Sequence, residues 1–595
     1  MKEESCEKKW IIGFTVFLLV VLLGLSARLS YFHLANHSRL KHNDHKQTLL
    51  GIRGSIFDGS GNPVQMGVSL PAWQFEANRS GFREKHKKQE AREVIFDRVA
   101  EVLTVPRETV ESAFAFSTNS TWSRLLGVSA NPDVYDALMR DSRHISGIQV
   151  KEIATRSYPQ GPLMAHVVGF LDWQGKSVAG IEKKFEDDLK GTDGIIRGKL
   201  DGRDLVDKWV RVIPSTIYDY VPPVHGNNIY LTLDSNIQYS VEKVLKETVE
   251  KFNAQGAWAI VQDIKTGAIL AMAVYPDFNP NGLKGGESWR NDAISTPYEP
   301  GSVMKTVTLA AALNEHLVTA NTQIDVGYGP FMYAGTSLKN TASGSVTVAR
   351  GFKISNNVVF AKLGLELRPQ RIDAYMRGFG FGERLEIELP DEARGMIDAK
   401  RRSWREWDKV KPTRVPIGQG ISVTALQMIN AYSAVANGGT LMRPYLVKRI
   451  VSPTGQMVYR GEPQEIGRPI RPEVAQTVRE LMIDVTEEGT GLKARVPGYT
   501  VAGKTGTAQA WDSKIGAYST TDYYASFVGF VPARNPVFSV LVTVDRAKPV
   551  YTGGSVAAPA FSQIAAATAR YLEVLPDDLQ NEHEVEKRSV KVQTR

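Results

Sequence analysis

Eighteen residues without a charge, Trp10 to Ala27 (WIIGFTVFLLVVLLGLSA), form one long apolar run near the start of the chain. As a helix the run spans about 27 Å, close to the roughly 30 Å hydrocarbon core of a bilayer. It is long for a cleaved signal peptide, and no A-x-A-like site follows it. The pattern therefore predicts an uncleaved transmembrane anchor over 10–30 behind a short tail at 1–9. Arg28 can snorkel, and Tyr31, Phe32 and Leu34 extend the helix through the interface. Lys2, Lys8 and Lys9 precede the span, while Arg28, Arg39, Lys41 and Lys46 follow it, so charge counting leaves its orientation open.

Residues 28–50 are polar and carry His33, His37, His42 and His45. Spacings of four and three would set pairs of them on one helical face, as metal ligands are set. The simpler expectation is a solvated juxtamembrane helix. From about 51 to 225, short apolar runs alternate with turn residues such as Gly61-Asn62-Pro63 and Tyr158-Pro159-Gln160-Gly161. This predicts an irregular, strand-rich module with one helical stretch near 87–104. No internal repeat is evident.

The pattern changes near Gly226. Asn228–Leu233 is a short apolar run, Asp234 is a good N-cap, and Ile237, Val241, Val244, Leu245 and Phe252 then recur at helical spacing. Strands are expected at Ala257–Ile264 and Ala268–Tyr275, joined by a Lys265-Thr266-Gly267 turn. Three more are expected at Thr500–Gln509, Ala525–Val531 and Val537–Asp545. A closing helix begins near Ser555-Val556 and runs through Phe561, Ile564, Ala565 and Tyr571. Five strands, helices at both ends and a large helical insert predict an α/β sandwich. The charged tail from about Pro576 is expected to be disordered.

Composition narrows the class. At 595 residues the chain is too long for one core, and 42% hydrophobic with 23% charged residues excludes a largely disordered or fibrous chain. The single cysteine, Cys6, excludes an intramolecular disulfide framework and a zinc site built from several cysteines. A net charge of +8 over this length is a weak pointer to an anionic surface and none to nucleic acid.

No G-x-S-x-G elbow occurs, so the α/β-hydrolase triad has no starting point. The segment Tyr298-Glu299-Pro300-Gly301-Ser302-Val303-Met304-Lys305 is more informative. Pro-Gly ends an extended run, and Val303, Val307, Ala310 and Ala311 take up helical periodicity. That puts Ser302 in a first turn, where free N–H groups favour developing negative charge. Lys305, three residues on, shares its face. A serine beside an amine is a nucleophile with its base, provided the amine is neutral.

Each motif alone is uninformative. S-x-x-K recurs at Ser5, Ser38 and Ser240, S-x-N at Ser60, Ser117 and Ser129, and K-T-G at Lys265. The ordered set is rare: Ser302 and Lys305, then Ser355-Asn356-Asn357, then Lys504-Thr505-Gly506 on a strand. Burial beside Lys504 would depress the Lys305 pKa. Asn357 would hold the amine or a substrate amide, and Ser355 would pass a proton to a leaving amine. Gly506 would let the strand edge approach an acyl group. The N–H groups of Ser302 and Thr507 would form an oxyanion hole. Lys504, Thr505 and Thr507 would meet a substrate carboxylate. The chemistry expected is acyl transfer from a peptide with a free C-terminus.

One rival is a literal match. Gly498 to Thr505 satisfies G-x-x-x-x-G-K-T, the phosphate-cradling loop. That loop needs a strand before it and a helix opening at Lys-Thr. Here the preceding EEGTGLKARVP is no buried strand, and Gly506-Thr507-Ala508-Gln509 reads as continuing strand.

These residues resemble the penicillin-binding proteins, and the likeness spans roughly residues 10–572. Arg53-Gly54-Ser55-Ile56-Phe57-Asp58, Arg156-Ser157-Tyr158-Pro159-Gln160-Gly161 with Ala165-His166-Val167-Val168-Gly169, and Gly180-Ile181-Glu182 with Leu189-Lys190-Gly191-Thr192-Asp193-Gly194 look like pedestal motifs of class B members. Gly59 departs from the Arg that many relatives place there. Leu231-Thr232-Leu233-Asp234 with Gln238, and Gly418-Gln419-Gly420-Ile421-Ser422-Val423-Thr424 with Leu426-Gln427, resemble parts of their transpeptidase domain. The YEPGS-x-MK form is most similar to division-specific (FtsI-type) members, with the elongation-specific type as the alternative.

The resemblance implies a five-stranded antiparallel sheet between helices over 226–572, a juxtamembrane segment and pedestal (dimerisation-like) domain over 31–225, and a tail at 573–595. It also implies that Ser302 attacks the D-Ala–D-Ala bond of a peptidoglycan stem peptide and passes the acyl group to a neighbouring amine, β-lactams acylating the same serine. The catalytic domain would face outward (periplasmic) from the bacterial cytoplasmic membrane. A SEDS glycosyltransferase of the FtsW type and other division proteins would be its partners. No cofactor or metal is implied. A class A β-lactamase would need a deacylating Glu in an E-x-x-x-N setting, and no asparagine occurs between Asn357 and Asn430. A bifunctional synthase would need a glycosyltransferase module where 51–225 resembles pedestal. A β-lactam sensor would usually carry further spans, and a catalytically idle scaffold would not need the full set of motif residues.

Overall fold

The computed structural model describes residues 3–40, 44–77, 82, 89–115, 124–142, 147–199, 214–283, 285–397, 407–512 and 515–577. The chain divides into two compact units, residues 1–53 with 190–226, and residues 54–189 with 227–595.

In the first unit Glu3–Leu40 is one continuous helix. Its Gly13–Tyr31 segment has a mean hydropathy of 2.0, and its side chains are exposed rather than packed against protein. Its length and composition are those of a membrane span. The juxtamembrane expectation needs one correction. Asp44–Leu49 is a strand, paired antiparallel with Gly194–Lys199, which in turn pairs with Asp219–Val221. Pairing with a segment far along the chain overrides the local pattern that read as helix. His45 is therefore in a strand, His33 and His37 are in the helix, and His42 lies outside the described residues. Among the described residues no group of three or more metal-ligating side chains occurs.

The second unit holds two large sheets. One contains Ile56–Phe57, Gln65–Ala77, Arg124–Ser129, Ile148–Ser157, Asn228–Leu231, Val447–Val451 and Met457–Arg460. Its strands thus come from both sides of residue 226. Beside it, Phe75, Phe82, Val110, Phe114, Leu126 and Leu138 form a separate small core. The strand-rich expectation holds with more helix than foreseen: besides Gln89–Leu103 there are helices at Arg107–Phe114 and Pro132–Ser142. Both are too short for their periodicity to stand out, although Arg107–Phe114 buries Val110, Ala113 and Phe114 on one face.

The pedestal motifs converge on one buried ion pair. Arg156 donates to Glu182 at 2.6 Å and to the Gly54 carbonyl at 2.8 Å. Asp58 is fully buried and accepts from Val64 N at 2.7 Å and Ser235 N at 3.1 Å. The Gly59 departure has a physical basis: a Cβ there would stand 2.7 Å from the Leu231 and Thr232 carbonyl oxygens.

The other sheet carries the site. Helix α1 (Ser235–Lys251) starts at Asp234, whose side chain accepts from Asn236 N. Strands β1 (Gly256–Asp263) and β2 (Ile269–Tyr275) follow. Their turn is fixed by the Asp263 carboxylate, which accepts from Thr266 N at 2.7 Å and Thr266 Oγ1 at 2.6 Å, and by Gly267 at φ +82°. The insert supplies α2 (Lys305–Asn314), α3 (Asn357–Gly378), α4 (Ala425–Ala436) and α5 (Pro472–Glu487). Strands β3 (Ala502–Asp512), β4 (Ala517–Val531) and β5 (Phe538–Asp545) and helix α6 (Ala557–Tyr571) complete the unit.

The antiparallel order is β2-β1-β5-β4-β3, which makes β3 an edge. Both sheet faces are buried. Ile260, Met272, Val528 and Leu541 face the insert, while Val261, Phe527, Val540 and Val542 face α1 and α6. Phe527 meets Phe561 with ring centroids 4.6 Å apart, and burying such a ring contributes about 1.5–3 kcal/mol. β4 begins eight residues before its expected start, because its first half alternates exposed and polar residues and pairs only with the end of β3 (Trp511 with Tyr518). The tail is held further than expected. Tyr499 Oη donates to the Val574 carbonyl at 2.6 Å and Asp577 N to that of Gly498 at 3.0 Å; residues 578–595 lie outside the described residues.

Candidate active site

Pro300 and Gly301 lead into a tight 3-10 turn, Gly301–Met304, and α2 follows directly at Lys305. Ser302 therefore sits half-buried one turn ahead of the α-helix. The turn is anchored on three sides. Gly301, at φ +58°, donates its N–H to the Gly418 carbonyl at 3.1 Å. Tyr432 Oη donates to the Val303 carbonyl at 2.8 Å and shares a hydrogen bond with Thr306 Oγ1 at 2.8 Å. Thr308 Oγ1 reaches the Pro416 carbonyl at 2.9 Å.

The second motif occupies the junction before α3. Ser355 takes the left-handed conformation, φ +56°. Asn356 caps α3, its Oδ1 accepting from Val358 N at 2.8 Å and Val359 N at 3.1 Å. Its Nδ2 donates to Asn340 Oδ1 at 2.8 Å and Thr341 Oγ1 at 3.2 Å. The cap turns Ser355 and Asn357 toward Lys305.

Lys305 and Lys504 are both fully buried. Lys305 Nζ donates to Asn357 Oδ1 at 2.7 Å, the Ser355 carbonyl at 2.7 Å and Ser355 Oγ at 3.1 Å. Lys504 Nζ donates to the same Ser355 Oγ at 3.0 Å. One hydroxyl thus joins two amines. The nitrogens stand no farther apart than those two bonds laid end to end, about 6 Å. Phenyl rings line the back of the site, Phe360 with its centroid 5.6 Å from Lys305 Nζ and Phe352 5.8 Å from Lys504 Nζ. Among the described residues no carboxylate forms an ion pair with either lysine.

The electrostatics follow. Desolvation first, and then the charge of Lys504, hold the Lys305 pKa well below its ordinary value. Desolvation lowers Lys504 to about 7. Near neutral pH the pair therefore gives up a proton that an exposed lysine would keep.

Hydrogen bonds bring Lys305, Ser355, Asn357 and Lys504 together, and Ser302 lies in the turn just ahead of Lys305, with three differences from expectation. Lys305 donates to Asn357, the partner expected of it, but also to Ser355 and not to Ser302, because the junction before α3 offers a buried acceptor that the S-x-x-K spacing does not reveal. The open side of Gly506 faces protein: a Cβ would lie 3.0 Å from the Pro300 carbonyl oxygen and 3.1 Å from Val303 Cγ1, so this glycine seats the serine turn on β3. The hydroxyls of Thr505 and Thr507 already have partners, Thr490 Oγ1 at 2.8 Å and Gly553 N at 3.0 Å. Asn356, Tyr432 and Thr490 were not singled out in the sequence. Asn356 stood inside the S-x-N motif and its capping chemistry was legible; Tyr432 and Thr490 carried no local signal. The phosphate-loop reading ends here, since Lys504 and Thr505 continue as β3 and open no helix.

A serine turn, an S-x-N junction and a K-T-G edge strand meeting around two buried amines can be compared with known proteins. Residues 257–566 match the family model described as penicillin binding protein transpeptidase domain, and residues 48–231 that of the penicillin-binding protein dimerisation domain. The chain belongs to the class B penicillin-binding proteins. This penicillin-binding protein is 34% identical over 440 residues to stage V sporulation protein D of Bacillus subtilis, covering 73% of the chain and 66% of that relative. It is 29% identical over 541 residues to peptidoglycan D,D-transpeptidase FtsI of Escherichia coli, covering 89% and 85%. The chain spans just under two thirds of the length of the sporulation protein. Among solved structures it resembles penicillin binding protein 3 of Mycobacterium tuberculosis complexed with aztreonam, with a TM-score of 0.67 and 27% identity over 89% of this chain and 98% of that one.

Proposed function

We propose that this penicillin-binding protein is a serine-type peptidoglycan D,D-transpeptidase that works through a Ser302 acyl-enzyme and is acylated there by β-lactams. The observation that carries the reading is the shared hydroxyl: Ser355 Oγ lies 3.1 Å from Lys305 Nζ and 3.0 Å from Lys504 Nζ, and among the described residues no carboxylate pairs with either amine.

In this reading Ser302 Oγ attacks the carbonyl carbon of the D-Ala–D-Ala bond while neutral Lys305, which Asn357 orients, takes the hydroxyl proton. The oxyanion accepts from the N–H groups of Ser302 and Thr507. Collapse breaks the C–N bond, and the proton passes from Lys305 through Ser355 to the departing D-Ala amine. An acceptor amine from a neighbouring stem then attacks the ester, its proton returns by the same route, and Ser302 Oγ leaves as the hydroxyl. Lys504 acts from its buried position through Ser355 and by its field on the substrate carboxylate, which Thr505 and Thr507 on the β3 edge approach, while Gly506 between them keeps the serine turn seated on the strand. The chain would be held in the cytoplasmic membrane by its apolar helix with this unit outside. Septal synthesis beside an FtsW-type glycosyltransferase is the assignment, on the YEPGS-x-MK likeness.

Fluorescent penicillin tests the chemistry: covalent label is expected on the wild type and lost in Ser302→Ala, and label surviving that change would refute it. Depletion tests the cellular role, filaments supporting division and rounded cells supporting elongation instead.

A further inference from the structure

Helix α4 carries buried polar side chains on two faces, and each face grips a different part of the unit. On one, Asn430 Oδ1 accepts from Gln262 Nε2 of β1 at 2.9 Å. Ser433 Oγ lies 2.8 Å from Gln262 Oε1 and 3.0 Å from Ser539 Oγ of β5. The helix starts at a capping box of Thr424 and Gln427, and the Gln427 amide donates to the Glu383 and Arg394 carbonyls at 2.7 Å each. These ties lock α4 to the sheet. On its other face Tyr432, fully buried, reaches the serine turn.

Donor counting orders the protons at that contact. Tyr432 Oη gives its single proton to the Val303 carbonyl at 2.8 Å, so in its 2.8 Å contact with Thr306 Oγ1 the threonine is the donor. A helical threonine commonly turns its hydroxyl onto the carbonyl four residues back, here that of Ser302. The phenol takes that proton instead. Burial pushes the pKa of Tyr432 up, so the hydroxyl stays protonated and remains a donor across the neutral range. It is neither a base nor a nucleophile.

Val303 follows the nucleophile inside the tight Gly301–Met304 turn, where fixing one peptide plane fixes its neighbours. The open side of Gly506 on β3 faces Val303 Cγ1, so residue 303 is held from β3 on its side chain and from α4 on its carbonyl. The oxyanion hole of the proposed mechanism is split across the same two bodies, Ser302 N–H on the turn and Thr507 N–H on β3. Two such donors act together only at a set spacing. We propose that Tyr432 is a positioning residue for acyl transfer: through the Val303 carbonyl it sets the serine turn against the sheet, and with it the spacing of the two oxyanion donors. The inference rests on the Ser302 acyl-enzyme reading and adds to it a buried hydroxyl that touches no substrate.

The test is Tyr432→Phe in the full-length protein in detergent. Acylation by a fluorescent penicillin is followed at rising concentration, and decay of the acyl-enzyme after free label is removed, both referred to the titrated active fraction. A displaced oxyanion hole slows formation and hydrolysis of the ester alike, so both rate constants are expected to fall about tenfold. The half-saturating penicillin concentration and the acidic limb of the pH profile are expected to stay in place. Thr306→Val removes the proton entering the phenol but leaves its bond to Val303, and is expected to acylate close to the wild-type rate. A merely structural tyrosine would lower the melting temperature and the active fraction without moving either rate constant. Wild-type rate constants in Tyr432→Phe, an equal loss in Thr306→Val, or a shifted acidic limb overturns the proposal. If Tyr432→Phe yields no active fraction, 3-fluorotyrosine at position 432 takes its place. Its ¹⁹F resonance is expected to shift when penicillin acylates the protein, and a resonance that stays in place overturns the coupling. Label surviving Ser302→Ala overturns the active-site reading instead, which keeps the two failures apart.

Discussion

Replacing Lys504 by Met removes one of the two buried cations while keeping a side chain of similar length. Two unit charges about 6 Å apart in a medium of effective dielectric near 20 repel by about 2.8 kcal/mol, equivalent to about two pKa units on the partner. Lys504 carries its charge below a pKa of about 7. Below that pH its field drives the proton off Lys305, and without it Lys305 keeps the proton to higher pH. Above it Lys504 is neutral in the wild type too, so the difference fades. The acidic limb of the acylation profile is therefore expected to move alkaline by up to about two units in Lys504→Met, with the two profiles converging in shape at high pH. The assay is stopped-flow acylation at saturating β-lactam from pH 5 to 10, which separates the limb from any loss of binding. An acidic limb that stays in place, or moves to lower pH, would refute the view that Lys504 tunes Lys305.

Asn356→Ala deletes a cap with two backbone donors and a tie to Asn340. A cost of about 1–2 kcal/mol is expected, seen as a melting temperature lower by a few degrees, with slower acylation that Asn356→Asp partly restores. Glu242, on α1, accepts from Gln238 Nε2 at 2.8 Å and Met164 N at 3.0 Å, and burial raises its carboxyl to about 7. The folded state thus holds a proton that the unfolded chain has released above about 4.5, and stability falls as pH climbs from there through 7. Glu242→Gln is expected to melt a few degrees above the wild type at pH 8, with the gap closing by pH 5, measured by calorimetry.

The strands and their flanking helices were legible because each buries an apolar face whose period survives in the sequence. The Asp234 cap and the turn at Gly267 were legible because they rest on local side-chain and backbone chemistry. The site was legible as three motifs in order. Its wiring was not. That Ser355 rather than Ser302 receives the Lys305 amine depends on α3 being capped by Asn356 and on β3 lying beside it, both long-range outcomes. The Asp44–Leu49 strand was missed for the same reason, since its partner lies at Gly194–Lys199. The first half of β4 carries polar, exposed residues and has no hydrophobic alternation to read.

Because burial, and not a counter-ion, sets the two amines, dryness is itself a control variable. A movement of the phenylalanine backing that admitted a few solvent molecules would return both lysines to their ordinary ammonium form. The nucleophile would then lose its base without any covalent change or any displacement of Ser302. A wetted site would be silent by hydration alone, and contacts that keep it closed would keep the amines in the depressed state the buried structure shows.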